Sequence, residues 1–580
     1  MNATIRPTSL TANALLESLK IPGSGRSPKD SLRDVAVSPQ IIQEFRPLVR
    51  SLEWELSDLY WSTQGVLPFA RNDVPFVVNN DGRASENAAV VFFTHCLETS
   101  TDQNPIRVLE LGAGTGLFAR YFLDSFQTIC VQEKRDFYDR LVYFVSDRSA
   151  RSLQQWEERG VFAEHGAHAT LGTCDGMRPS EFRNQAGETV KLEALRALFA
   201  NYVLDVLPST VVRSGSTGPE QLCIRTHLTN HRELLSQYSN LDFMQVRQLA
   251  VAENPAERAK LLPILSLLEF QTAFMSIDED APPYLDEALA FGRGLERMLL
   301  NYGAIRCLEK CSEVLHPEGL VLLNDYGPVE FDQVASQASA QRFGASIALG
   351  INFPFLEHHF SRNGSVVLLK PADDKRSIHA RMICHRDLPR TREVFTSRFS
   401  SEFADYFDAP ARDARQHAAA GRNNEALESF RLALQRSPRD WPLLGQAAEF
   451  VGLQLREFHA GLELIRTALA LNPWYSAWLW NALGDCLFCL ERFADAHEAY
   501  LQAQRIDFDD VRTNFNLSYT YFQMGRFQES LEVISHGLAA DVQGTYRERL
   551  LSKQEHVLAA ISARGINERE RLMKRASSFA

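Results

Sequence analysis

The chain has 580 residues and a formal net charge of −12, with 45% hydrophobic and 23% charged residues. This composition is ordinary for a folded soluble protein, the length is a soft prior for roughly three or four domains, and the acidic balance argues against nucleic-acid binding, which calls for a basic footprint. No apolar run reaches membrane-spanning length, no signal-peptide apolar core opens the chain, and nine scattered cysteines read as small core residues of a reduced, cytoplasmic protein. Lys, Arg, Ser and Thr scattered over residues 1–35 leave a mitochondrial location as the alternative. Cys307 with Cys311 and Cys486 with Cys489, each one helical turn apart, could suggest zinc, but both pairs lie in strongly helical, apolar patterns far apart in sequence; His165 and His168 with Cys174, and His358 with His359, have no recognised metal spacing, so no metal is expected.

Residues 1–38 are polar, rich in Ser, Pro and Gly, and are expected to be a flexible N-terminus. Over 39–66 the spacing of Ile41, Ile42, Phe45, Leu48, Val49, Leu52, Trp54 and Leu56 predicts an amphipathic helix. Residues 86–99 predict another, making 39–100 a helical segment placed to act as a lid. From 101 to about 390 apolar strands alternate with helices, the pattern of an open, mostly parallel α/β sheet. The expected buried strands are 107–111, 142–146, 197–203, 222–225, 320–324 and 365–369. Residues 230–315 read as helical almost throughout, a helical insertion in that alternation.

Several strand ends carry polar residues at the edge where such sheets bind ligands. The first is Val108-Leu109-Glu110-Leu111-Gly112-Ala113-Gly114-Thr115-Gly116, an apolar strand leading through an acid into three alternating glycines. Glycines there allow positive φ and let a ligand approach the backbone. A dinucleotide cradle needs its third glycine at 117, where Leu117 stands, and no Gly-Lys-Ser/Thr follows to make a P-loop. The strand at 142–146 ends in Asp147, which could accept ligand hydroxyls or cap the next helix. Asp175, after Thr173-Cys174, reads equally as a ligand contact or a turn residue. Leu198 to Pro208 delivers Asn201, Tyr202 and, one turn later, Asp205. Asn201 could position a nitrogen nucleophile through its carbonyl, and Asp205 could orient a cation or accept a proton; a capped turn is the alternative. A late strand ends Asn324-Asp325-Tyr326-Gly327.

Beyond 400 a period of 34 to 35 residues sets in. Phe430, Ala433 and Pro438 recur as Ile465, Ala468 and Pro473, then as Tyr500 and Ala503, then as Ile534 and Gly537. The small–large–proline pattern resembles the tetratricopeptide (TPR) consensus and predicts an all-α solenoid over 405–563, closed by a capping helix at 545–563. Residues 564–580 read as a polar tail.

An acid two residues before G-x-G-x-G resembles motif I of class I methyltransferases that use S-adenosyl-L-methionine. With Asp147, Ala200-Asn201 to Leu207-Pro208, and Asp325-Tyr326-Gly327 in this order, the set resembles the MidA-type methyltransferases. That family includes a mitochondrial factor for assembly of respiratory complex I, which methylates a protein arginine. The resemblance spans roughly 45–385 and implies a Rossmann-like methyltransferase sheet. It implies S-adenosyl-L-methionine held by Glu110, Gly112, Gly114, Gly116, Asp147 at the ribose, Asp175 near adenine, and Asn201. Asn201 and Asp205 would then be catalytic, with Tyr202, Pro208, Asp325 and Tyr326 toward the substrate. Ala113 stands where the family has proline, and Asn201-Tyr202-Val203-Leu204-Asp205 where it has N-E-F-F-D. The missing glutamate removes a planar carboxylate partner for a guanidinium. The expected function is methyl transfer to a protein or peptide side chain, arginine among the candidates, with the repeats offering a groove to the substrate or a partner. The alternatives are a non-catalytic scaffold with a vestigial fold and a small-molecule methyltransferase.

Overall fold

The computed structural model describes residues 40–71, 81–99, 105–228, 235, 239–277, 280–343, 346–364, 366–541 and 544–577. The expectation for 1–38 lies outside them. The described residues fall into two compact units, one within Val37–Tyr406 and one within Phe407–Ala580.

The first unit opens with β1 (Gln40–Pro47) and α1 (Leu52–Gln64), so the helix expected over 39–66 is half strand. Apolar residues at 41, 42, 45 and 48 fit either period over so short a run. Pairing with a later strand decides for β, and Ser51, whose hydroxyl accepts from Trp54 N at 3.2 Å, starts the helix. Then follow α2 (Arg83–Glu98), β2 (Ile106–Leu111), α3 (Leu117–Gln132), β3 (Leu141–Asp147), α4 (Ala150–Glu158), β4 (Ala169–Cys174), β5 (Glu181–Asn184), β6 (Thr189–Lys191) and β7 (Leu195–Asn201). Next come β8 (Thr210–Ser214), β9 (Pro219–Leu228), α5 (Phe243–Ala250), β10 (Leu268–Ser276), α6 (Leu285–Phe291), β11 (Met298–Leu300), α7 (Tyr302–Val314) and β12 (Leu315–Asp325). The unit closes with β13 (Gln341–Phe343), β14 (Ser346–Ala348), α8 (Phe353–Asn363), β15 (Val367–Leu369), β16 (His379–Cys384) and α9 (Pro389–Arg398).

Nine strands form the main sheet in the order β15-β16-β12-β7-β2-β3-β4-β5-β6. Its centre, β12-β7-β2-β3-β4, is parallel, and both flanks are antiparallel. The Rossmann-like α/β reading holds, with a mixed rather than mostly parallel sheet. The central strands are apolar on both faces because helices cover both. On one face Phe118 and Phe122 of α3 lie one helical turn apart and meet Phe199 of β7 edge-on and tilted, at ring distances of 5.4 and 5.0 Å.

The insertion differs from expectation. Leu268 and Phe270 alternate with Glu269 and Gln271, and β10 pairs along β9 from Leu268↔Leu228 to Ser276↔Glu220. Residues 222–225 therefore belong to a second, antiparallel sheet of β1, β8, β9, β10 and β11. Helical periodicity was read across a stretch whose strand signal has period 2. The strand expected at 365–369 is a half-buried edge strand of three residues, and Ser365 lies outside the described residues.

The second unit is helical. Helix α10 (Ser401–Ala419) leads in, and α11 (Asn423–Arg436), α12 (Trp441–Glu449), α13 (Phe458–Leu471), α14 (Ala477–Cys489), α15 (Phe493–Ile506), α16 (Val511–Gln523), α17 (Phe527–Ala540) and α18 (Arg547–Ser577) follow. Small residues set the close approaches: a Cβ on Gly484 of α14 would lie 2.3 Å from the Tyr500 ring of α15, and one on Gly461 2.6 Å from Gly452 Cα. Asp440, Ser476 and Asp510 cap α12, α14 and α16 by accepting from Leu443, Leu479 and Thr513 N at 2.9, 3.2 and 2.9 Å. Leu550 and Val557 of α18 close the array against Phe515 and Ile534. That helix continues to Ser577, through the stretch read as a tail.

Candidate functional site

The central strands end along one edge of the main sheet, and a cavity of about 1030 Å3 lies over it. Its wall runs from Asp175 after β4, through Asp147 and the glycine loop, to Asn201, Asn324 and His379. This is where an open α/β sheet places a ligand.

Gly112, Gly114 and Gly116 have φ of 61°, 55° and 76°. Ala113 N donates to Ser146 O at 2.8 Å, Gly114 N to Asp147 Oδ2 at 2.9 Å, and Trp156 Nε1 to Gly114 O at 3.0 Å. The loop is thus fixed before any ligand arrives. A Cβ at 112 would lie 2.6 Å from Val203, and one at 114 would lie 2.9 Å from the Phe69 ring. Gly112 and Gly114 line the cavity; Gly116 does not, and a Cβ there would meet Phe162 and Trp156 instead. Its role is to start α3 tightly rather than to admit a ligand.

Glu110 also departs from its expected place. Its carboxyl is buried off the cavity wall, Oε2 accepting from the Tyr143 hydroxyl at 3.1 Å and Oε1 making no bond. Burial pushes its pKa up to about 8; the Tyr143 bond opposes this and Asp147 adds to it. In the unfolded chain Glu110 ionises above its ordinary 4.5, while the folded chain keeps the proton to about 8. The unfolded state therefore binds fewer protons in that window, and stability falls as pH rises through it. Glu110→Gln should raise the melting temperature at pH 8 and flatten its decline from pH 5 to 8, measured by calorimetric scans across that range.

Asp147 stands on the wall and serves two structural bonds, Oδ1 accepting from Ser149 N at 2.8 Å and Oδ2 from Gly114 N. Burial lifts its pKa to about 6 against those bonds. Ser149, not Asp147, is the N-cap of α4, and the Asp147 carboxylate that lines the cavity pins the glycine loop instead. Asp147→Ala should weaken cofactor binding by about 1.5–3 kcal/mol in titration calorimetry, and lower the melting temperature as well. Asp175 lines the cavity too, exposed, with Oδ1 accepting from Met177 N at 2.9 Å.

At the other end, Asn201 Oδ1 accepts from Asn324 Nδ2 at 2.7 Å, and Asn201 Nδ2 is buried without a partner. The carbonyl expected to hold a nucleophile is engaged, so a buried N–H is what the residue leaves open. Tyr202 adopts φ 54°, an uncommon conformation for a side chain of that size. The turn it makes brings Asp205 back beside the Tyr326 hydroxyl. Burial raises Asp205 to about 7. Asp325 is raised well above its ordinary value by burial and by Asp205. Burial thus disfavours ionisation of both carboxyls.

Asp325 and Pro208 do not line the cavity. Asp325 accepts from Leu204, Asp205 and Tyr326 N at 3.1, 3.3 and 2.9 Å, so it braces the turn rather than facing a substrate. Pro208 O accepts from Gly303 N at 2.7 Å and packs on the start of α7. Tyr202, Tyr326 and Gly327 do line the cavity; a Cβ on Gly327 would strike Ile351 O at 2.2 Å, so only glycine fits there.

Three further segments contribute to the wall, two of them inside the segment expected to act as a lid and none with a residue singled out for the site from the sequence. Helix α1 presents Trp54, Ser57, Asp58 and Trp61. It is tied down by an Asp58–Arg148 ion pair, by Trp61 Nε1 donating to Ser346 Oγ at 2.9 Å, and by Ile347 N donating to Ser57 Oγ at 3.1 Å. Arg83 and Asn87 come from α2, and Asp374 and His379 from the start of β16. A carboxylate–histidine spacing of five residues is no motif, and only the strand pairing puts it here. Among the described residues, no group of three or more His, Cys, Asp or Glu is placed to hold a metal. No described helix is long and apolar enough to cross a membrane.

Residues 89–366 match the family model described as "Putative S-adenosyl-L-methionine-dependent methyltransferase", and residues 511–541 match a tetratricopeptide repeat. The resemblance read from 110–116, 147, 200–208 and 325–327 is borne out by that match. A curated relative, the peroxisomal targeting signal receptor of Candida albicans, is 28% identical over 120 residues, 20% of this chain and 20% of its own. The chain thus spans about a fifth of that relative's length. Among solved structures, a Burkholderia thailandensis protein bound to S-adenosyl-homocysteine is 13% identical, covering 60% of this chain and 90% of its own with a TM-score of 0.39. The MamA protein is 13% identical, covering 27% and 90%, with a TM-score of 0.24.

Proposed function

We propose that the chain binds S-adenosyl-L-methionine at the glycine loop and transfers its methyl group to a protein or peptide side chain, arginine among the candidates, delivered by the repeat unit. The carrying observation is one cavity that joins Gly112, Gly114, Asp147 and Asp175 to Asn201, Asp205 and Tyr326 within the matched family segment. The site suits that cofactor: Asp147 offers the cavity a carboxylate of the kind that accepts ribose hydroxyls, and the unpartnered Asn201 Nδ2 is a buried donor lacking an acceptor. When bound, S-adenosyl-L-methionine supplies a methyl already activated on sulfonium. What remains for the chain is to align the acceptor and exclude water. Asn201 and Asp205 hold the acceptor, and Trp54 and Trp61 shield it. Nine free cysteines, eight of them buried, fit a reducing compartment, and we place the protein in the cytoplasm.

Tetratricopeptide repeats are protein-interaction modules, and here they would raise the substrate's effective concentration rather than touch the transition state. The test uses tritiated S-adenosyl-L-methionine and a lysate to find labelled protein, followed by kinetics on that protein. Deleting 407–580 should raise KM severalfold and leave kcat within about twofold. Unchanged KM and kcat would mean that the repeats serve another partner. Absence of cofactor binding by the full chain would end the enzymatic reading.

A further inference from the structure

His379 stands on the cavity wall as the first residue of β16, and its ring is 5% exposed. Its Nδ1 lies 2.6 Å from Asp374 Oδ1. Asp374 Oδ2 in turn accepts from Arg381 Nη1 at 2.7 Å, and Arg381 Nε donates to Glu357 Oε1 at 2.8 Å. Arg381 is 1% exposed, over the Phe353 ring, and that ring also meets His379 edge to face at 5.4 Å. A carboxylate, an arginine and an aromatic ring thus fix one imidazole, with Nδ1 committed and Nε2 making no hydrogen bond to the described residues. Fixing a histidine through one nitrogen while leaving the other open to a cavity is the arrangement that prepares it to take a proton. Burial raises Asp374, but the His379 bond and the Arg381 charge outweigh it and bring its pKa below the usual value, so the carboxylate stays ionised beside the ring.

His379 and Asn201 line the same cavity, with β12 between their strands. Asn201 pairs with Asn324, and Asn324 with Ala380, the neighbour of His379. His379 itself pairs with Asp325, one residue beyond that row, so what it shares with Asn201 is the cavity over the strand ends. Asp205 is less suited to the proton's release, because it is buried beside the Tyr326 hydroxyl and close to Asp325.

We propose that His379, positioned by Asp374 and Arg381, is the general base of methyl transfer, and that the acceptor is an N–H or O–H group that must lose a proton. This rests on the methyltransferase reading above. The acceptor's lone pair forms the new bond to the methyl carbon, the sulfur–carbon pair returns to sulfur, and the acceptor's proton goes to Nε2, giving an imidazolium paired with Asp374. The charged groups around the ring are Asp374 and Arg381 on its own segment, Lys375 and Arg376 beside them, Asp325 opposite on β12, and Glu357 on α8. Asp325 is committed to backbone N–H groups and Glu357 to Arg381, which leaves Asp374 as the anion at the ring.

The test uses the full chain, tritiated S-adenosyl-L-methionine and a pool of synthetic peptides carrying Arg, Lys, Gln, Ser or Tyr as acceptor. With the labelled peptide, His379→Gln should lower kcat by about a hundredfold, within the range for a lost general base, and leave cofactor affinity within twofold. Asp374→Asn should lower kcat by about tenfold and displace the acid limb of its pH profile. Added imidazole should restore turnover to His379→Ala. A kcat for His379→Gln within threefold of the parent, or failure of imidazole to rescue a His379→Ala protein that still binds cofactor, overturns the proposal. A readout independent of turnover is carbethoxylation by diethyl pyrocarbonate. His379 should react through its open Nε2, whereas buried His165, bonded at both nitrogens to Tyr138 and Asp124, should not. An unmodified His379 overturns the proposal even if the parent shows no methyl transfer, whereas loss of cofactor binding alone would overturn the methyltransferase reading instead.

Discussion

Gly114→Arg should abolish binding of S-adenosyl-L-methionine. Binding by the parent chain is expected in the micromolar range, about −8 kcal/mol, and titration calorimetry on the variant should show no heat of binding at concentrations that saturate the parent. Two effects add. Gly114 holds φ +55°, which an arginine adopts only with strain. Its Cβ would lie 2.9 Å from the Phe69 ring, so the rest of the side chain must displace that ring or fill the cavity where the ligand would lie. The loop bonds from Gly114 N to Asp147 and from Trp156 to Gly114 O would shift with it. The variant must be shown to be folded, since strain alone could unfold the unit. Gly114→Ala supplies that control: it keeps the backbone strain without the bulk, and should bind weakly rather than not at all. Equal binding by the arginine variant and the parent would move the cofactor away from this loop and overturn the site assignment.

The parts of this site visible in the sequence are those written by local rules. An apolar strand, an acid and alternating glycines define a turn wherever they occur, and Asp147 and Asn201 sit where strands with buried faces must end. The repeat unit was legible for a related reason: each helix pair uses the same small and large positions, as Gly484 against Tyr500 shows. What was not legible depends on pairing. Whether 40–47 is helix or strand is decided by β9, some 180 residues away. The sheet in the insertion arises because β9 is flanked on both edges, and His379 reaches the cavity only because β16 lies antiparallel beside β12. Glu110 shows another limit. Its position before the glycines is that of a ligand contact, yet its side chain points into the layer under α3, where Tyr143 meets it. A sequence gives the residue and its order; which side of a strand faces a ligand depends on the neighbours that close over the other side.

Asp205→Asn should give a rate loss together with a stability gain, a combination that separates a working carboxyl from a structural one. The turn that presents Asp205 is braced by Asp325, which accepts Leu204 and Asp205 N, and those bonds do not need a charge at 205. Asparagine is isosteric and its carbonyl can still accept from the Tyr326 hydroxyl, so the cavity should keep its shape and cofactor affinity should change by less than about twofold. What disappears is an ionisable group facing the acceptor. Methyl transfer to the labelled substrate should slow by at least about tenfold, equivalent to about 1.4 kcal/mol of barrier. The stability effect has the opposite sign. Asp205 ionises near 3.8 in the unfolded chain and near 7 when buried here. The folded state therefore holds a proton that the unfolded state has released between those values, and stability is lost as pH rises through them. Asparagine cannot ionise, so the variant escapes that loss and relieves Asp325 of a like charge. Its melting temperature should exceed the parent's at pH 8 and match it near pH 4. A variant that melts lower than the parent at pH 8, with turnover preserved, would show that Asp205 only stabilises the turn, and the acceptor would have to be held by Asn201 and Tyr326 alone.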